Sequence, residues 1–123
     1  MIVMSCKKQE PGTLPEIPVT NRTIQFTLYT DKDFSNDQHN VFFSLIIHNS
    51  NNQLLWDSAL APMKLKDIPG FTNKISVKKL VPLNNRSLLK VGFRYIIEDG
   101  GHSTFVDSMQ AGETLKIVDY NFQ

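Results

Sequence analysis

The chain has almost no cysteine. Cys6 is the only one, so no intrachain disulfide can staple the fold. It also has almost no net charge, with 13 Lys and Arg against 12 Asp and Glu. An electrostatic nucleic-acid binder normally carries a basic excess, so no nucleic-acid partner is expected. No run approaches the roughly 18 apolar residues that span a bilayer as a helix, and no stretch of useful length has the 3.6-residue apolar period of an amphipathic helix. Gly-x-Ser-x-Gly, His-Glu-x-x-His, P-loop and dinucleotide-binding glycine patterns are all missing. His39, His48 and His102 lie in separate segments without Cys or His partners at ligand spacing. These absences point to a non-enzyme without a cofactor. With 123 residues the chain fits one domain, able to bury about two-thirds of its unfolded surface.

What is present is a series of strand-length segments. Ile24, Phe26 and Leu28 alternate with Gln25, Thr27 and Tyr29, the period of a half-buried strand. Residues 41–48 are a dense run of β-branched and aromatic side chains. The polar turn Asn49-Ser50-Asn51-Asn52 then leads into 53–59, which predicts a hairpin. Pro62, Pro69 and Gly70 break the rhythm before a strand at about 73–81 and a turn at 82–85. The clearest strand is 88–98, with Leu89, Val91, Phe93, Tyr95 and Ile97 on one face and Lys90, Gly92, Arg94 and Glu98 on the other. Asp99-Gly100-Gly101 reads as a tight turn into 103–109, and Ala111-Gly112 as a turn into 114–122.

The expected fold is therefore all-β: a two-sheet sandwich of seven to eight antiparallel strands over residues 21–123, immunoglobulin-like in the broad sense. C2-like and transthyretin-like sandwiches are the competing arrangements. Phe26, Leu28, Phe43, Leu45, Val91, Phe93, Tyr95 and Ile117 are expected to share its core. The long connections 31–39 and 60–72 should carry the chain between sheets, with short turns joining the other strands. Trp56, on the third strand, resembles in position the core Trp of immunoglobulin-like domains. A tight hairpin at 49–52, however, would keep together two strands that those domains separate.

The N-terminus carries the strongest statement about location. Met1-Ile2-Val3-Met4-Ser5-Cys6-Lys7-Lys8 resembles the tail of a bacterial lipoprotein signal: apolar residues, a small residue, then the Cys that takes the lipid. It departs from that pattern at Met4, larger than the usual residue, and lacks the charged leader and most of the apolar region. A polar stretch with Pro11, Gly12, Pro15 and Pro18 follows and reads as a tether. As a whole the chain resembles the small envelope lipoproteins of Bacteroidota. The resemblance implies a signal remnant at 1–6 with lipid on Cys6, a tether at 7–20 and a sandwich at 21–123. It also implies membrane attachment in the cell envelope, with the outer-membrane anchor facing the periplasm or the cell surface. Asp57-Ser58-Ala59 and Asp107-Ser108-Met109 match the Asp-Ser/Thr-apolar triplet that those bacteria O-glycosylate, which marks Ser58 and Ser108.

Two further constellations bear on chemistry. Asp31, Asp33 and Asp37 sit with Ser35 and Asn36 in one loop, an oxygen-rich segment of the kind that binds calcium. Asn36 stands where an EF-hand needs Gly and Phe42 where it needs the bidentate Glu, so the favoured reading is a solvated crossover with local hydrogen bonds. Second, between Met63 and Tyr95 eight Lys and Arg face only Asp67. Lys74 and Lys78 share a strand face, as do Lys90 and Arg94, so neighbouring strands would form one basic surface; outward lysines that keep edges soluble are the simpler account. His102, Ser103 and Asp107 have the residue types of a hydrolytic triad, but alternation sends His102 and Asp107 to opposite faces. The expected function is an envelope-anchored binding module for a protein or glycan. A structural subunit joined by strand addition is the alternative, and a calcium-binding domain a distant one.

Overall fold

The computed structural model describes residues 21–81 and 87–123. Its strands are β1 (Arg22–Tyr29), β2 (Asn40–Asn49), β3 (Leu54–Ala59), the two-residue β4 (Met63–Lys64), β5 (Ile75–Val81), β6 (Leu89–Ile97), β7 (His102–Met109) and β8 (Leu115–Asn121). Two 3-10 turns, Leu65–Asp67 and Phe71–Asn73, fill the passage from β4 to β5. A three-stranded sheet, β5-β1-β8, packs on a larger one, β3-β2-β6-β7, with β4 beside β2. The molecule is the all-β sandwich expected. Its pairings are antiparallel except β1 with β8, which run parallel. Parallel neighbours need a long connection, and here nearly the whole domain separates the two strands.

Alternation decides what each strand buries. Ile24, Phe26 and Leu28 of β1 face Val41, Phe43, Leu45 and Ile47 of β2 and Leu89, Val91 and Phe93 of β6, all essentially inaccessible. Aromatic rings lock the layers together. Phe26 meets Phe93 edge-on at 5.8 Å, and Phe122 meets Phe43 at 5.5 Å and Tyr95 at 4.9 Å, geometries that ring quadrupoles favour. Ile46 lies on the outer face yet is also buried, in register with Asp57 and Gly92. Gly92 allows an unusually close approach of β6 to β7, since a Cβ there would lie 1.8 Å from the Phe105 carbonyl oxygen.

Three expectations need correcting. Ile117 is not in the core: it is 52% exposed, while its neighbour Val118 is buried. The inward row of β8 is Lys116, Val118 and Tyr120, one residue out of phase with the expectation, and a shift of one exchanges the faces. Next, the short connections 82–88 and 110–114 do not join neighbours within a sheet. β5 and β8 belong to the three-stranded sheet, β6 and β7 to the other, so the chain changes layer after β5 and after β7, as it does over 31–39 and 60–72; the turn expected at 82–85 lies outside the described residues. Packed sheets lie about 10 Å apart, a gap that a few extended residues span. Third, this same separation of β5 from β6 divides the basic residues between two surfaces. The hairpins at 49–53 and 98–101 form as expected, the second with Gly100 at φ 107°.

One residue that alternation alone would have made apolar holds an end of the sandwich. Arg22 begins the inward row of β1 and is fully buried. Its guanidinium donates from Nε to the Glu113 carbonyl (2.8 Å), from Nη1 to Ser87 (2.7 Å) and from Nη2 to Gln110 (2.8 Å). These carbonyls lie in the 110–114 crossover and just before β6, so Arg22 ties two layer crossings to the first strand.

Candidate functional site

The acidic loop runs from β1 to β2 and is held by hydrogen bonds within itself and to the end of β8. Asp31 receives a hydrogen bond from Asn121 Nδ2 (2.9 Å), and its backbone N–H donates to Asn121 Oδ1 (3.1 Å). Asp33 Oδ1 accepts the Ser35 N–H at 2.9 Å. The Ser35 hydroxyl and N–H together hold its carboxyl below the usual carboxylate range. Asp37 Oδ1 accepts both the N–H (2.9 Å) and Nδ1 (2.7 Å) of His39, which lower its pKa likewise. The Asp33 and Asp37 contacts are the local turns that Asp makes in crossovers, whereas Asp31 is tied to the end of β8. The three carboxylates point to three different partners, and among the described residues no group of three or more His, Cys, Asp or Glu is arranged to hold a metal. A shallow open depression of about 510 Å³ lies over this loop, lined by Asp33, Phe34, Asn36, Asp37, Gln38 and His39.

His39 connects this loop to the β6–β7 turn. Its Nε2 is 4.0 Å from Asp99, and the Asp37 hydrogen bond, then the charges of Asp37, Asp99 and Glu98, raise its pKa above 6.5. Glu98 in turn accepts the Asn40 N–H at 2.8 Å. Sequence reading missed this junction, because it joins residues about sixty positions apart.

The basic residues are dispersed. Lys78 lies on the outer face of the three-stranded sheet beside Gln25, whereas Lys90 and Arg94 lie on the outer face of the other. Lys74 packs over the rings of Phe71 (4.2 Å) and Tyr29 (4.6 Å) and pairs with Asp119 at 2.9 Å. The Thr27 hydroxyl, then Lys74, hold Asp119 below the carboxylate range. Arg94 is 3.9 Å from Asp57, and Lys90 donates to Asn52. No single basic surface forms from the four. Ser108 lies opposite Lys90 on an outer face, and Ser58 opposite Leu45 on the inward row of edge strand β3; both are half-buried. His102 pairs with Ile96 and Asp107 with Val91, which puts them on opposite faces of β7. Cys6 lies outside the described residues, as do the signal-like segment and the tether.

A different surface stands out instead. On the outer face of the three-stranded sheet, Leu80 and Leu115 flank Thr23 in register, and Ile117 follows beside Gln25. They are 55%, 54% and 52% exposed, and Phe71, against Tyr29 at the far end of that face, is 62% exposed. Phe42 and Ile96 form a smaller exposed pair on the opposite sheet. Single exposed apolar residues are ordinary, but rows of them on one face mark contact surfaces. The signal in the sequence was the apolar phase of β8 that the core does not use.

No protein-family model, curated protein or solved structure matches the chain. What it does must be argued from its own residues.

Proposed function

We propose that this chain is a non-catalytic binding module, carried on a bacterial envelope by a lipid on Cys6, that holds a protein partner against the outer face of its three-stranded sheet. The observation that carries the binding role is the exposed set Leu80, Leu115, Ile117 and Phe71 on one sheet face. Fully burying such a side chain contributes about 1.5–3 kcal/mol; these four are already about half covered, so a partner over all of them would gain about 3–6 kcal/mol in total toward the cost of association. The envelope location rests on the Ser5-Cys6-Lys7-Lys8 sequence and the proline-containing stretch after it. A lipid there would contribute about 0.8 kcal/mol per buried methylene, and the two lysines suit anionic headgroups.

The binding face is tested by placing a photo-crosslinking residue at Ile117 in the full chain, expressed in a native-like bacterial host. Lys32, on the acidic loop, serves as the control position. One discrete adduct from Ile117, absent from Lys32 and lost on Leu80→Glu, supports the assignment. Equal labelling from both positions, or none from Ile117, refutes it.

A further inference from the structure

β5 and β8 form the two edges of the three-stranded sheet, and among the described residues each pairs only with β1. Neither strand contains proline or glycine. Their outward rows include exposed Leu80, Leu115 and Ile117, the apolar alternation that rewards a neighbouring strand. Edges of this kind are templates for pairing with another chain. Each inward row, however, carries one lysine among apolar residues: Lys79 with Ile75, Val77 and Val81, and Lys116 with Val118 and Tyr120.

Both ammonium groups reach across to the facing edge of the other sheet. Lys79 Nζ lies 4.9 Å from the Trp56 ring centroid on β3, and Lys116 Nζ lies 3.0 Å from Asp107 Oδ2 on β7. The two flanks thus have the same construction, with a cation from the smaller sheet set on a side chain of the larger one. A lysine on the core-facing phase of an edge strand gives up apolar packing for a charge that must stay in water.

We propose that Lys79 and Lys116 prevent the three-stranded sheet from being extended by a strand of a second copy of this chain. A strand added beside β5 or β8 would lay its own inward side chains over the flank. It would remove the ammonium from water and, at β8, the Asp107 carboxylate with it, a desolvation that the apolar outward row does not repay. Partners are thereby directed to the face of the sheet and away from its edges, and strand addition at this sheet is opposed.

The test compares wild type with Lys79→Val/Lys116→Val by size-exclusion chromatography with light scattering over a wide concentration range. Lys78→Val is the control, because it adds the same apolar group to the outward row of β5 without uncovering an edge. Wild type, Lys79→Arg/Lys116→Arg and Lys78→Val should remain monomeric. The double valine variant should rise to at least twice the monomer mass, with added amide-exchange protection along β5 or β8. A monomeric double variant, equal association of Lys78→Val, or wild type that already associates through these edges would overturn the assignment. If the double valine variant does not fold, Lys79→Thr and Lys116→Thr decide it singly: association of either supports the proposal and monomeric behaviour of both refutes it.

Discussion

Replacing Arg22 by Met should destabilise the domain more than its place at the start of a strand suggests. The side chain is wholly buried and gives three short hydrogen bonds to the carbonyls of Ser87, Gln110 and Glu113. Hydrogen bonds from a charged donor contribute about 1.5–3 kcal/mol each, which gives roughly 5–9 kcal/mol gross. Against this stands the cost of desolvating a guanidinium, several kcal/mol after relaxation. Met keeps most of the volume and removes both terms, but takes the guanidinium donors from three partly buried carbonyls, of which Gln110 keeps the Glu113 N–H. A net loss of about 3 kcal/mol follows, a large share of the roughly 5–15 kcal/mol that holds a typical domain. At about 4–8 °C per kcal/mol for a domain of this size, Tm should fall by about 12–24 °C. Urea unfolding gives the energy, and amide exchange should show lost protection around Leu89 and Leu115, where the two tied crossovers enter their strands. Lys, with one ammonium for three divergent carbonyls, should recover only part of the loss. A stability change under about 1 kcal/mol for Arg22→Met, with exchange unaltered, would refute the account of Arg22 as a tie between layers.

Phe93→Ala removes a buried ring that touches Phe26 and Tyr120 and should cost about 3–5 kcal/mol by chemical denaturation; a loss below 1 kcal/mol would mean that the site collapses freely. His39 should titrate above 6.5 by NMR and move back toward it in Asp37→Asn. Because its folded pKa is the higher one, His39 adds stability fully below pH 6.5 and loses it as the pH rises through the folded value; a pKa at or below 6.5 would contradict the Asp37 contact. Millimolar calcium should leave Tm unchanged, since Asp31, Asp33 and Asp37 serve three different partners, Asn121, Ser35 and His39. A clear rise that Asp33→Asn abolishes would show instead that the loop gathers around a cation.

The interior strands could be read from the sequence because their environment is simple. β2 and β6 are central in the larger sheet, and their alternating apolar rows face the opposite layer without interruption. β8 was ambiguous, since Leu115-Lys116-Ile117-Val118 offers two apolar phases. The buried one contains a lysine whose head escapes at the flank to Asp107, so hydrophobicity alone selects the wrong row. Connection length misled for a related reason: a five-residue link can close a hairpin or cross a sandwich, and only the partner of each strand decides. The local turns of Asp33, Asp37 and Asn49 follow from chemistry within four residues and were foreseeable. The triple contact of Arg22, the His39–Asp99 junction and the outer apolar face all depend on long-range pairing.

The envelope-anchored reading is tested most directly by fractionating cells that express the chain from its own gene in a native-like host, beside a Cys6→Ser variant. Wild type should sediment with membranes, partition into detergent and carry a diacylglycerol on Cys6 as its first residue by mass spectrometry, while Cys6→Ser should become soluble or remain uncleaved. Wild-type protein recovered free in the cytosol with an unmodified Cys6 thiol would contradict the anchor and the envelope function built on it.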